Sequence, residues 1–213
     1  MVAEARDVVP PYRIETERLV VRCWDPRDAP LIKEAIDSSL DHLRPWMPWA
    51  QTEPKPLADT VNLLRIFRGR FDLGEDFTYA IFSPDERQVL GGAGLHTRAG
   101  DGAFEIGYWI RTSHARQGLV TEAVSALTRA GFECCEVDRI EIHVDPENVA
   151  SRRVPVKLAY AEEATLRRRL PPKTTGTPRR DEVVYTMLAE DYPSSPAASC
   201  GVAAYDAAGT RLL

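Results

Sequence analysis

The chain has 213 residues, 44% of them hydrophobic and 28% charged, which is ample for one substantial domain with a proper core. Its net charge of −5 argues against a protein that grips nucleic acid through a global positive field. No apolar run is long enough to span a bilayer, and the first nine residues carry Glu4, Arg6 and Asp7 instead of a signal-like apolar core.

The cysteines, Cys23, Cys134, Cys135 and Cys200, form no Cys-x-x-Cys pair, and the four histidines are scattered. Neither a disulfide framework nor a metal site is expected, and the default is a reduced, cytoplasmic, metal-free protein away from membranes. Residues 1–11 read as a frayed start, 12–190 as one domain, and 191–213 as a Ser/Ala/Gly-rich tail, ordered only by docking if at all.

Within the domain, Leu19, Val20 and Val21 suggest a first strand, and Pro26 and Asp28 open a helix through Leu31, Ile32, Ala35 and Ile36. His42 to Pro56 is loop-like, with four prolines, yet it carries Trp46, Met47 and Trp49. Leu57 to Phe71 resumes a helical period. Phe77 to Phe82 and Val89 to Leu95 read as a hairpin across Pro84, Asp85 and Glu86, and Ala103 to Ile110 as the next strand. A polar turn, Arg111 to Gln117, precedes a periodic helix with Leu119, Val120, Ala123, Val124 and Leu127 on one face.

Arg139 to Val144 then alternates Ile140, Ile142 and Val144 against Glu141 and His143. A short helix follows near Asn148, and Tyr160 to Leu166 and Val183 to Leu188 are the last strands. A meander that passes into alternating strands and helices predicts a mixed α/β (α+β) domain, an antiparallel sheet merging into a βαβ unit. Between the last two strands Arg167, Arg168, Arg169, Lys173, Arg179 and Arg180 cluster, either as a solvated loop face or as a patch for an anionic ligand or acidic partner.

The most informative segment is Glu105-Ile106-Gly107-Tyr108-Trp109-Ile110, then the turn, then Gly118-Leu119-Val120-Thr121-Glu122. A helix that begins at a glycine after a strand forms an anion site, because its first amides lack internal partners and its dipole is positive there. Asp145-Pro146-Glu147-Asn148, Ser151-Arg152-Arg153-Val154, Lys157-Leu158-Ala159-Tyr160 and Glu162-Glu163 follow in order. With that spacing, the stretch from Glu105 to Glu163 resembles the GNAT superfamily of N-acetyltransferases. Thr16-Glu17-Arg18-Leu19, Leu43-Arg44-Pro45-Trp46-Met47 and Gly91-Gly92-Ala93-Gly94 resemble its Rim-type branch, which acetylates ribosomal-protein N-termini.

The resemblance covers about Tyr12 to Glu190. It implies a mixed central sheet of six to seven strands, antiparallel at first and splayed parallel at the centre, flanked by helices. It implies acetyl-CoA as co-substrate, with the pantetheine arm between the strands ending at Ile110 and Val144. Backbone groups at Ile110 and Arg111 would pair with the arm. Amides of Arg116, Gln117, Gly118, Leu119, Val120 and Thr121 would hold the pyrophosphate, and Asn148 would fix the arm. Ser151 would lie near the thioester sulfur and serve the departing thiolate.

A neutral amine must attack the thioester, so a proton acceptor is required; Glu105, opposite in direction to Phe104 and Ile106, is the candidate base through water. The competing reading is a carboxylate salt-bridged to a neighbouring strand. His143 lines the acceptor cleft or is a surface histidine. Trp46 and Trp49 wall the acceptor or pin the loop. Gly91, Gly92 and Gly94 lack the Gly-Lys-Ser/Thr of a phosphate loop.

The departures from the family pattern are Ala115 in the Gln/Arg slot, Arg116 where glycine is frequent, Val120 in the small-residue slot, Pro155 where alanine is usual and Ala159 where glycine is usual. The tyrosine that serves as acid elsewhere in the superfamily would fall at Pro155, and the glutamate base of some Rim-type relatives near Leu170. A proline so deep in a helix removes a hydrogen bond, so this helix is expected to be short, kinked or late, starting near Val154. The expectation is an acetyl-CoA-dependent N-acetyltransferase, monomeric or homodimeric, acting on a protein or peptide N-terminal α-amine, of a ribosomal or other protein. Alternatives are a small-amine acetyltransferase of aminoglycoside or polyamine type, or a degenerate acyl-CoA-binding protein.

Overall fold

Alternating apolar residues build one mixed sheet in the computed structural model, which describes residues 10–173 and 176–213. The start expected to fray, residues 1–11, lies outside the described residues up to residue 9. The strands are β1 (Arg13–Glu15), β2 (Val20–Cys23), β3 (Phe77–Phe82), β4 (Val89–His96), β5 (Ala103–Ile110), β6 (Arg139–Val144), β7 (Ala161–Leu170), β8 (Arg180–Leu188) and β9 (Ala203–Tyr205). Their order is β7-β8-β6-β5-β4-β3-β2-β1-β9. The count is nine where six to seven were expected. Part of the excess comes from the segment after Glu190: Tyr192, Ala197 and Ala204 are buried, and β9 pairs antiparallel with β1.

The helices are α1 (Ala29–Asp37), α2 (Leu40–Leu43), α3 (Leu57–Asp72), α4 (Leu119–Cys134) and α5 (Val149–Lys157). On one face α4 and α5 bury Phe104, Ile106, Ile140, Ile142 and Val144 together with Val124, Leu127 and Val154. On the other, Ile32, Ile36 and Leu64 of α1 and α3 pack on Val20, Ala80, Phe82 and Val89, covering only the β2–β4 part of the sheet.

Every strand pair is antiparallel except β5–β6, which is parallel and joined only at Ala103–Arg139, Phe104–Ile140 and Glu105–Glu141. Past Glu105 the two strands part, although β5 continues to Ile110 and β6 to Val144. The amide of Arg111 donates to the Leu90 carbonyl at 2.7 Å. By alternation, the backbone groups of Ile110 and Tyr108 therefore face away from β4, into the opening.

The α5 helix corrects the expectation of a late start near Val154. It begins at Val149, capped by Asn148, whose side-chain oxygen accepts from the Ser151 amide at 3.1 Å, and runs through Pro155 to Lys157. The proline leaves the Ser151 carbonyl, one turn back, without its helical donor. The Tyr108 hydroxyl donates to that carbonyl instead, at 3.1 Å. A hydrogen bond from β5 thus replaces the one the helix lacks, and the turn is kept.

Candidate active site

Two cavities meet between the splayed strands. One, of about 670 Å³, is lined by Ile110, Arg116, Gly118, Leu119, Val120, Thr121, Asn148 and the start of α5. The other, of about 600 Å³, opens on the sheet face left bare by α1 and α3 and is lined by Trp49, Arg98, Glu105, His143 and Glu182, among others. Tyr108, Asn148, Ser151 and Trp46 line both.

The first cavity ends on the turn before α4. Arg116 (φ 62°) and Gly118 (φ 81°) both adopt the left-handed conformation. A Cβ on Gly118 would meet nothing closer than Arg18 Nη2 at 3.6 Å, so the backbone angle, not space, calls for glycine there. The first helical bond runs from the Glu122 amide to the Gly118 carbonyl at 3.0 Å. The amides of Leu119, Val120 and Thr121 precede it and have no carbonyl one turn back to donate to. Arg116, Arg153 and Lys157 bring three cations to this cavity.

Two expected residues stand apart from it. The Arg111 amide is spent on Leu90 and its guanidinium is paired with Glu34. Gln117 turns its side-chain amide to the Ser113 carbonyl at 3.1 Å, and its own carbonyl accepts from Arg18 Nη1 at 3.1 Å.

At the junction the Tyr108 hydroxyl lies 3.0 Å from Ser151 Oγ, in addition to its bond with the Ser151 carbonyl. Burial pushes the phenol well above its ordinary range and the Ser151 hydrogen bond offsets only part of this, so Tyr108 stays protonated and able to donate. The sequence pointed to no acid here besides Ser151, since the position where the superfamily carries a tyrosine acid is Pro155 in this chain. Arg153 and Lys157 were also missed; their i, i+4 spacing after Asn148, facing the turn before α4, was the available signal.

In the second cavity Glu105 is bound by Arg98, Nε at 2.7 Å and Nη2 at 2.5 Å, with the Glu105 side chain 12% exposed and that of Arg98 59%. Burial pushes the carboxyl up, but the Arg98 hydrogen bond and charge, aided by His143 and His96, outweigh it and hold Glu105 below the usual carboxylate range. His143 Nε2 lies 2.6 Å from Glu141 Oε2, and Nδ1 3.3 Å from Glu182 Oε2. Burial pulls this imidazole down, yet the Glu141 hydrogen bond and the charges of Glu105, Glu182 and Glu141 raise it above its ordinary value. Asp76 lies 2.9 Å from His96 Nδ1, and Glu53 lies 3.5 Å from Lys55 Nζ. The carboxylates that line the cavity therefore have nearby basic partners.

Trp49 meets Trp109 edge to face, centroids 5.9 Å apart. Trp109 lies across β4 because Gly92 has no side chain: a Cβ there would stand 2.5 Å from the Trp109 Nε1. The glycines of β4 thus admit an aromatic wall and are no phosphate loop. Trp46 carries Lys173 Nζ 4.4 Å above its ring.

Residues 18–160 match the family model described as an acetyltransferase (GNAT) domain. The chain belongs to the GNAT acetyltransferase family. It is 28% identical over 163 residues to the [ribosomal protein uS5]-alanine N-acetyltransferase of Escherichia coli (strain K12), covering 74% of this chain and 82% of that one. Among solved structures, RimJ of Mycobacterium smegmatis in complex with CoA-disulfide superposes with a TM-score of 0.75 at 25% identity, over 88% of this chain and 90% of that one. RimL, a ribosomal L7/L12 alpha-N-protein acetyltransferase solved with coenzyme A, has the same fold: TM-score 0.71 at 18% identity, over 81% and 95% of the two chains.

The GNAT chain is accordingly an acetyl-CoA-dependent N-acetyltransferase, and the first cavity fits its donor. Unpaired first-turn amides, a left-handed glycine and three cations suit phosphates. The open backbone edge at Ile110 suits an amide-bearing arm. No helix among the described residues is long and apolar enough to cross a membrane.

Proposed function

We propose that this GNAT enzyme acetylates the N-terminal α-amine of a polypeptide, entering through the second cavity. The observation that carries the reading is the meeting of two cavities at Tyr108 and Ser151, one suited to the donor and one open on the bare face of the sheet. Acetyl-CoA, when bound, supplies the thioester acyl group. The residues available to hold it are Ile110 by its backbone, Gly118 to Thr121 by their amides, Arg116, Arg153 and Lys157 by charge, and Asn148.

The charge state of the acceptor side favours an α-amine. An α-amino group titrates near ~8, so a useful fraction is neutral at pH 7, whereas a lysine near ~10.4 must be stripped of a proton first. Glu105, held low by Arg98, is a weak base for that task. It suffices for an α-amine, whose proton becomes acidic once nitrogen has attacked, and it takes that proton through water. Ser151 Oγ protonates the departing sulfur and takes a proton in turn from the Tyr108 hydroxyl, which swings from the Ser151 carbonyl to Oγ in that step.

Pairing of Glu53, Asp76, Glu105 and Glu182 with basic groups disfavours a polycationic small amine, which requires unpaired carboxylates. The names of the Escherichia coli relative and of RimL, both acting on ribosomal proteins, support a polypeptide acceptor. The non-catalytic alternative would leave this junction without a proton donor, and the Tyr108 hydroxyl beside Ser151 Oγ weighs against it.

The test is CoA release in the presence of acetyl-CoA and three acceptors: peptides beginning with Ala or Ser, the same peptides with a blocked N-terminus and one internal lysine, and spermidine. Turnover is expected with the free α-amine alone. Preferential turnover of the lysine peptide or of spermidine refutes the reading.

A further inference from the structure

The β7–β8 hairpin is basic in a chain whose net charge is −5. Two of its six cations are already used: Lys173 Nζ lies 2.5 Å from Glu147 Oε2, and Arg180 lies against Asp145. Among the described residues no carboxylate lies within salt-bridge distance of the guanidinium groups of Arg167, Arg168, Arg169 or Arg179. The first three are consecutive and all exposed.

The backbone is built to display them. The ladder pairs Leu166 with Glu182 and Leu170 with Arg180, so β7 takes four steps where β8 takes two. The surplus forms a bulge with Arg168 at φ 53°, a left-handed conformation that a side chain disfavours. Asp181 Oδ1 accepts from the Arg168 amide at 2.7 Å, and Arg179 donates to the carbonyls of Arg168 at 2.8 Å and Arg169 at 2.5 Å. The same contacts that pin the bulge hold the charge of Arg179 beside the other three. Leu170, the next residue, and Glu182, across from Leu166, both line the acceptor cavity. The arginines therefore stand at its rim.

We propose that this pinned bulge, Arg167, Arg168 and Arg169 with Arg179, docks an acidic stretch of the acceptor polypeptide, a few residues beyond the amine delivered to Tyr108 and Ser151. The inference rests on the α-amine reading above and narrows its substrate class. Charge complementarity supports it: Glu105 and Glu182 line the cavity and are paired with basic groups, while the four arginines at its rim have no carboxylate partner among the described residues. Acidic residues a few positions behind the amine therefore meet the arginines. A polypeptide is favoured over nucleic acid for two reasons. The cavity's carboxylates repel phosphates, and the hairpin from residue 161 to 182 holds no aromatic ring on which a base could stack.

The test compares peptides sharing the same first three residues and differing in a Glu/Asp triplet or a Gln/Asn triplet moved stepwise along the next several positions. Wild type and the variant Arg167→Gln/Arg168→Gln/Arg169→Gln are assayed for kcat/KM by CoA release. Wild type is expected to prefer an acidic peptide by about tenfold at low salt, with the preference falling as salt rises, and the variant to lose it. Unchanged kcat/KM for the neutral peptide is the internal check that the variant is folded. Equal kcat/KM for acidic and neutral peptides in wild type overturns the inference while leaving the α-amine reading intact. If no peptide is acetylated, both fall. If an RNA oligonucleotide binds wild type but not the variant and peptides show no charge preference, the surface belongs to nucleic acid and the inference is wrong.

Discussion

Replacing Tyr108 by Phe removes one hydroxyl and exposes a debt held by Pro155. The Ser151 carbonyl has no helical donor because position 155 has no N–H, and its partner is the Tyr108 hydroxyl at 3.1 Å. A buried acceptor left bare costs about 1–3 kcal/mol. Because both residues line the cavities and water can approach, the low end applies, about 1 kcal/mol, or a fall of roughly 2–4 °C in Tm for a chain of this size. The cost should depend on the proline. In a Pro155→Ala background the new amide can reach the Ser151 carbonyl, so Tyr108→Phe should then be nearly neutral. Urea denaturation of wild type, both single variants and the double variant closes the cycle, with a coupling of about 1 kcal/mol expected. Catalysis separates from stability: turnover should fall about 100-fold or more in either background, since the proton donor is lost in both. Equal destabilisation by Tyr108→Phe with and without the proline would refute the compensation argument.

Ala159 follows α5 at φ 65°, where an alanine side chain costs about 1–2 kcal/mol, and glycine's greater unfolded-state freedom offsets part of that. Ala159→Gly should therefore raise stability by about 0.5–1 kcal/mol, and an unchanged or lower Tm counts against strain at this site. Glu105 has its folded pKa lowered, so its contribution to stability is complete above the unfolded value near ~4.3 and is lost as pH falls through the folded value. The stability gap between wild type and Glu105→Gln should be flat from neutral pH down to about pH 5 and shrink below it; a gap that widens on acidification contradicts the Arg98 pairing. The sign reverses for His143, whose raised pKa stabilises the fold below ~6.5 and loses that contribution as pH rises through the folded value. Denaturation of His143→Gln against wild type between pH 6 and 9 should show the wild-type advantage fading with rising pH.

Much of this architecture was legible because its signals are local. Strand alternation in Arg139–Val144, the helical period after Gly118 and the order of motifs from Glu105 to Glu163 each lie within a short window. What escaped depends on contacts between distant segments. The segment Ala203–Tyr205 is three residues of low hydrophobic contrast, and its strand character comes from pairing with Arg13–Glu15 at the other end of the chain. The penalty assigned to Pro155 was correct for an isolated helix, but a hydroxyl 47 residues earlier in sequence supplies the missing donor. Glu105 was legible as an inward carboxylate. The competing reading, a salt bridge to a neighbouring strand, is what the carboxylate makes; that its partner is Arg98 was not legible, because the register that brings the two together is set by the β4–β5 ladder.

The strand order also bears on how copies of the chain meet. An open sheet exposes a row of unpaired amides and carbonyls along each edge, a template for uncontrolled joining. Here the outermost strand on one side, β9, is three residues long, and Leu213 folds back so that its carbonyl faces the Ala204 amide at 3.4 Å. The outermost strand on the other side, β7, carries Glu162, Glu163 and three consecutive arginines and is broken by the bulge at Arg168. One border is blunted by brevity and the other by charge and curvature, so neither offers a long flat template for edge-to-edge joining.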